Sequence, residues 1–265
     1  MGYPARQGSR GSDMNGRFRA APPRAPDPWD GVLLVDKCAG PTSHDVVDLV
    51  RDHFHLPKVG HGGTLDPGAT GLLILLLGRA TKVSQAIMST DKVYEGTFDL
   101  GLTTDTHDAE GHVLQQRDYA HLEAAAVAAE MRKWVGDVQQ VPPMVSAIKK
   151  DGQALYKLAR KGQEVEREPR LLHIYEFTLL RFEHGRGWFR TRCSKGTYVR
   201  TLCHDVGEGL GCGAHMRTLH RTRSGEFDVA DAVRFEDLFT FTREQLRPHI
   251  RPLHTLRLQG VTGPG

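Results

Sequence analysis

The chain has 265 residues, a net charge of +3 and 39% hydrophobic content, enough for one large core or two modest ones. Its longest apolar stretch, Leu72 to Leu77, is far shorter than the roughly 20 residues of a membrane span, and residues 1–30 lack the apolar segment of a signal peptide, so a cytoplasmic protein is expected. A pI near 8.7 permits a nucleic-acid partner without demanding one, and the scattered Cys38, Cys193, Cys203 and Cys212, with no CxxC pair, read as reduced thiols.

Residues 1–30 are rich in Gly, Pro and Arg without a sustained apolar period, and are read as a disordered arm. Its arginines add at most weak phosphate attraction to a solvated tail. Order begins with "GVLLVDK", a short β-rich run. After Gly40-Pro41, "TSHDVVDLVRDHFHL" brings Val46, Val47, Leu49, Val50 and Phe54 round at helical spacing, with Thr42 as N-cap and Asp45 at the positive end. "LLILLL" reads as a buried strand and "ATKVSQAIMS" as a short helix. In "KVYEGTFDLGL", Val93, Gly96, Phe98 and Leu100 cannot share one face, so this strand is expected to be partly buried on both. "HLEAAAVAAEMRKWVG" is a helix closed by Gly136, and "GQALYKLARKG" a second helix bounded by glycines. Strand-like "LLHIYEFTLLRFE" and "GWFRTRCSKGTYVRTL" follow. Then come the Gly-punctuated "DVGEGLGCGAHMRTLHRTRSGEF" and, in "FEDLFTFTREQLRPHIRPLHTLRL", a short terminal helix and tail. The interleaving lacks regular βαβ alternation and predicts an α+β fold around a mixed, mainly antiparallel sheet flanked by helices. The expected organisation is the arm over 1–30, one catalytic domain over 31–240 and a short tail over 241–265.

Several chemistries lack their signatures. GxxxxGK[ST] is absent, and "GEGLGCG" is not the strand-turn-helix opening of a dinucleotide site. His107 and His112 in "DTHDAEGH" lack HExxH or HxH spacing, so neither a metal nor any other cofactor is expected. What remains is a set of single functional-looking residues among glycines and short polar side chains. Asp66 in "KVGHGGTLDPGATGLLILLLG" has His61 and Thr64 nearby; Tyr94 lies in "DKVYEG"; Lys195, Tyr198 and Arg200 lie in "CSKGTYVRT". Taken singly, each has a structural alternative. Asp66-Pro67-Gly68 suits a tight turn, with Gly68 allowing φ > 0, the tyrosines suit half-buried strands, Arg200 suits a surface, and Lys195-Gly196 suits a hairpin turn.

The combination "GHGGTLDPGATG", "GRATK", "DKVYEG", "LGLTTDTHDAEG", "VPPMVSAIKKDGQALYKLARKG" and "CSKGTYVRTLCHDVGEGLGCGAHMRTLHRTRSGEF", in that order between about Gly31 and Phe227, resembles the bacterial tRNA pseudouridine-55 synthase family, TruB. The resemblance implies a pseudouridine synthase catalytic domain that turns a T-loop uridine of tRNA into pseudouridine. Such an enzyme breaks the C1′–N1 bond, rotates the uracil and rejoins C1′ to C5. It implies Asp66 as the catalytic carboxylate, nucleophile or base, with Arg200 paired to it. Tyr94 would stack on the base and is a candidate for proton removal at C5. Tyr198, His61, Lys82 in "GRATK" and Lys195 would complete the substrate-binding set. The tRNA T-arm is the implied partner of a monomeric enzyme. Base flipping is required because a uridine inside a folded loop is otherwise unreachable. The family usually has Lys-Pro where "VDKCAGPTS" stands, so Cys38 replaces a proline and Pro41 an apolar residue; Val145 stands where a tyrosine is common. Members commonly carry a C-terminal RNA-binding PUA domain, and the 38 residues from 228 to 265 are too few for one, so none is expected. Rival readings are a guide-RNA-dependent pseudouridine synthase, a tRNA folding helper with incidental catalysis, and a glycoside hydrolase. The last requires a second carboxylate about 5–10 Å from the first, and no matched motif supplies it.

Overall fold

The computed structural model describes residues 27–146, 149–150, 153–155, 158, 163 and 165–256. The arm expected over 1–30 lies almost wholly outside them, as does most of the helix expected over "GQALYKLARKG", whose described Gln153 and Ala154 form a strand instead.

Strand β1 (Gly31–Lys37) leads to helix α1 (Ser43–His53) through a capping box. The Thr42 hydroxyl accepts from the Asp45 amide at 3.1 Å, and the Asp45 carboxylate accepts from the Thr42 amide at 2.7 Å. Strands β2 (Val59–His61) and β3 (Thr70–Leu77) come next, and "ATKVSQAIMS" splits into a 3₁₀ stretch at Gly78–Val83 and helix α2 (Ser84–Met88). The middle of the chain runs through β4 (Lys92–Leu100), β5 (Leu102–Thr104), β6 (Val113–Gln116), α3 (Ala124–Arg132), β7 (Gly136–Gln140) and the short pair β8 (Lys149–Lys150) and β9 (Gln153–Ala154). Thereafter come β10 (Arg170–Glu183), β11 (Arg186–Cys193), α4 (Val199–Gly209), β12 (Ala214–Ser224), β13 (Phe227–Asp228), β14 (Val233–Arg234), α5 (Arg243–Leu246) and β15 (Ile250–Pro252).

Eleven strands form one sheet, with β14, β1, β3, β12, β4, β11, β10 and β7 side by side and β2, β13 and β15 attached to β3, β12 and β1. Among the described residues only the β1–β14 and β3–β12 strand pairs are parallel, so the fold is the expected α+β arrangement around a mixed, mainly antiparallel sheet. The unbroken "LLILLL" run follows from β3 being covered on both faces. Leu73, Leu75 and Leu77 join the main core with α1, α3 and α4, whereas Leu72, Ile74 and Leu76 pack with Val32, Leu34, Ile87 and Phe227 on the other side. Val93 and Tyr94, adjacent on β4, are both buried, which fits a strand covered on both faces.

Elsewhere the structure corrects the sequence. "GWFRTRCSKGTYVRTL" is not a single strand: β11 ends at Cys193, the chain turns at Gly196 (φ +83°), and α4 starts at Val199. Val199, Leu202, Cys203 and Val206 are all buried, a helical stripe that the β-branched and aromatic residues around it obscure. The helix continues through Gly207, where a Cβ would strike the backbone of Ala214 at the start of β12. The C-terminal segment is a series of short turns with one four-residue helix and β15, and Leu246 and Ile250 are buried in the main core.

Candidate active site

Strands β2 and β3 pair antiparallel and are joined by the loop Gly62–Ala69, which carries Asp66. Asp66 opens a turn in which the Ala69 amide donates to the Asp66 carbonyl at 3.1 Å, with Pro67 in the second position. The left-handed glycines are Gly63 (φ +135°) and Gly71 (φ +94°), on either side of this turn. Gly68, expected to need φ > 0, does not adopt it.

Buried side chains hold the carbonyls of five of the loop's eight residues. Lys37, 0% exposed, donates from Nζ to the carbonyls of Cys38 (2.8 Å), Pro67 (3.1 Å) and Ala69 (2.7 Å). Ser43 Oγ donates to the Leu65 carbonyl at 3.1 Å and accepts from the Leu65 amide at 2.8 Å. Arg221, 2% exposed, donates to the carbonyls of Gly63 (3.2 Å), Thr64 (3.3 Å) and Leu72 (2.7 Å). Backbone so held presents the Asp66 side chain, 45% exposed, in one direction.

A cavity of about 290 Å³ opens beside the loop, at the small end of ligand clefts, and Asp66, Lys92, Tyr94, Tyr198, Arg200 and Arg221 are among its lining. Arg200 comes from the first turn of α4 and is 4% exposed. Its Nε stands 3.8 Å from Asp66 Oδ2, an ion pair without a hydrogen bond. The shorter contact runs from Nη1 to Asp108 Oδ2 at 3.1 Å, and Nη2 donates to the Val145 carbonyl. Asp108 in turn accepts from Thr106 Oγ1 (2.5 Å) and the Glu110 amide (3.1 Å). Two carboxylates therefore share one buried guanidinium, which geometrically aims Asp66. The second carboxylate on Arg200 is Asp108, from "LGLTTDTHDAEG". Both of its oxygens are occupied as acceptors, from Arg200, Thr106 and the Glu110 amide, whereas a glycosidase's second carboxyl has to reach the glycosidic bond.

Tyr94 on β4 stands directly opposite Arg221 on β12 and Thr191 on β11. Burial raises its phenol pKa, an effect that Arg221 opposes. Tyr198 precedes α4, and the Gln140 side chain holds both its amide (2.8 Å) and its carbonyl (3.1 Å). The Tyr198 ring centroid lies 5.8 Å from the Arg200 guanidinium carbon, and burial raises this phenol's pKa too. Lys92 donates to the Met88 carbonyl at 2.7 Å, and burial brings its pKa down to about 8.

The structure thus brings Asp66, Tyr94, Tyr198 and Arg200 together. Lys195 is exposed at the rim between the lining residues Ser194 and Gly196, with Nζ donating to Ser89 Oγ at 3.2 Å. His61, at the end of β2, and Lys82, exposed on the 3₁₀ stretch, do not line the cavity. Burial and the charge of Arg221 lower the His61 pKa, and its Nδ1 accepts from the Gly63 amide at 3.4 Å. Sequence reasoning passed over Lys37, Lys92, Asp108 and Arg221. A lysine ending an apolar strand, or an arginine within a buried one, was the available signal. The departures at Cys38 and Val145 matter little locally, because each contributes its carbonyl, to Lys37 and Arg200 respectively.

Among the described residues no helix is long and apolar enough to cross a membrane. Residues 51–199 match the TruB family pseudouridylate synthase N-terminal domain, and residues 200–256 match the tRNA pseudouridylate synthase B C-terminal domain, a segment distinct from PUA. The chain is 49% identical to tRNA pseudouridine synthase B of Opitutus terrae over 85% of its own length and 93% of that protein. It is 50% identical to the Syntrophotalea carbinolica protein of the same name, over 84% of this chain and 71% of that one. Among solved structures, the Cbf5-Nop10-Gar1 complex contains a chain that superposes with a TM-score of 0.68 at 31% identity, over 85% of this chain and 60% of that one. An H/ACA RNP bound to a substrate RNA containing 2′-deoxyuridine gives 0.64 at 28% identity, over 84% of this chain and 59% of that one. The chain belongs to the TruB family of pseudouridylate synthases.

Proposed function

We propose that this protein isomerises uridine 55 in the T-loop of tRNA to pseudouridine, acting on the T-arm as a stand-alone, cytoplasmic enzyme. The observation that carries the reading is the half-exposed Asp66 carboxylate, on a loop fixed by buried side chains and paired with the buried Arg200, at the wall of a cavity with two tyrosines. The names of its relatives, tRNA pseudouridine synthase B, supply the substrate class.

In this reading the target uridine leaves the loop and enters the cavity, with Tyr94 as the stacking face. Asp66 acts on the sugar, as nucleophile at C1′ or as base at C2′, and Arg200 holds its charge in place through the change. The N1–C1′ bond breaks, the retained uracil turns, and C5 bonds to C1′. Loss of the C5 proton then completes an isomerisation without redox change. His61, Lys82 and Lys195, outside the lining, are left with contacts to RNA beyond the flipped base.

The test is to incubate the purified protein alone with an unmodified tRNA transcript and with a hairpin of its T-arm, then map pseudouridine by chemical adduct. A single new pseudouridine at the T-loop position in both RNAs is expected. Product that forms only when a guide RNA and further proteins are added would assign the chain to the guide-dependent class instead. Tight binding without product would make it a folding helper.

A further inference from the structure

Arg221 has an arrangement that holding the loop does not explain. It lies directly across the β12–β4 ladder from Tyr94, and cross-strand neighbours keep their Cβ atoms about 4.5–5.5 Å apart. Both side chains line the same cavity. Three loop and strand carbonyls take N–H groups of Arg221, and a guanidinium carries five. Arg200 is matched by carboxylates, but the hydrogen-bond partners of Arg221 are neutral carbonyls and no carboxylate is paired with it among the described residues. Burying an unpaired cation is costly, and carbonyls alone would be served by a neutral donor.

We infer that Arg221 is the positioning residue of Tyr94: it fixes the phenol oxygen in the cavity and stabilises the negative charge carried there while Tyr94 removes the proton from C5. This rests on the isomerase reading above. Once C1′ is joined to C5, that carbon still bears one hydrogen, and the ring has an N1=C6 double bond. The phenol proton has passed to water, and the phenolate takes the C5 proton. The C5–H electron pair becomes the C5=C6 double bond, and the former N1=C6 pair captures a proton from water at N1. No oxidant or reductant enters. Burial opposes phenolate formation at Tyr94, and so does the charge of Asp66; the positive charge of Arg221 works against both.

The test uses a T-arm RNA carrying either protium or deuterium at C5 of the target uridine, in single-turnover reactions of the parent, Arg221→Gln, Arg221→Lys and Tyr94→Phe. Arg221→Gln is expected to slow product formation at least about tenfold and to raise the C5 isotope effect, because it makes proton removal the slow step. Arg221→Lys keeps the cation with fewer donors and should stay nearer the parent in isotope effect than in rate. That variant carries the test if the Gln protein does not fold. A slow Arg221→Gln protein with an unchanged isotope effect confines Arg221 to holding the loop and overturns the proposal, as does an unchanged rate. Full rate in Tyr94→Phe overturns it by removing the base. A parent protein that makes no pseudouridine overturns the isomerase reading itself.

Discussion

Replacing Asp66 by Asn keeps the turn, since the turn's hydrogen bond runs through the backbone carbonyl, and removes the charge that the chemistry needs. Turnover should fall by several orders of magnitude with melting temperature and RNA affinity close to the parent; residual activity within about tenfold would discard Asp66 as the catalytic group. Asp108 is a different matter. It is not among the residues lining the cavity but carries one end of Arg200, so Asp108→Ala leaves a buried guanidinium short of a partner, a change worth about 3–5 kcal/mol where burial is complete. Urea unfolding should show that loss together with reduced turnover, Asp108→Asn being milder, and wild-type values for both variants would separate Asp108 from the site. Asp66, Tyr94 and Arg200 could be singled out because their residue types suggested a chemical part. Asp108, Lys37 and Arg221 were not, because their roles depend on partners far along the chain: Arg200 is 92 residues from Asp108, and Thr64 is 157 from Arg221.

Elements whose burial is repetitive were read correctly, β3 from its apolar run and α1 from its period and its Thr42 N-cap. Helix α4 was missed, since its first residues have strand propensity and the stripe that makes it a helix is set by packing on β12. That helix also carries half of an unusual contact. His204 on α4 stacks on His107, with ring centroids 3.9 Å apart and planes within 3°, and His107 Nδ1 lies 3.3 Å from Thr201 Oγ1. Burial, the second imidazole and Arg200 push the His107 pKa down to about 3 from an ordinary 6.5, and burial lowers that of His204 as well. The unfolded chain therefore takes up protons first as the pH falls. The stability His107 contributes is complete above pH 6.5 and drains away toward pH 3, by at most about 1.4 kcal/mol per pH unit. His107 has φ +65°, a conformation Asn also tolerates. His107→Asn should flatten the pH dependence of the urea midpoint between pH 6.5 and 4.5, and a slope equal to the parent's would show that the stack does not titrate in this way.

At the scale of the whole molecule, the segment expected as a tail over 241–265 contributes β15 to the same sheet that carries the site. β15 pairs with β1, β1 pairs with β3 over its full length, and the Gly62–Ala69 loop hangs between Lys37 at the end of β1 and Thr70 at the start of β3. Arg243 further ties the segment down, stacking 4.3 Å over Trp29 and donating to the Phe54 carbonyl at the end of α1. Leu246 and Ile250 are both buried, and full burial of an aliphatic side chain is worth about 1.5–3 kcal/mol. The pair alone thus approaches the lower part of the roughly 5–15 kcal/mol that separates folded from unfolded domains. Ending the chain after Thr240 should accordingly abolish a cooperative urea transition or move its midpoint far down, and remove activity with it. The milder Leu246→Ala, costing about 2–5 kcal/mol, should lower the midpoint while kcat at 20 °C stays near the parent's, because β1 and Lys37 remain in register. If the chain ending at Thr240 unfolds at the parent's midpoint, residues beyond 240 are an appendage, and the route from β15 through β1 to the catalytic loop carries no stability.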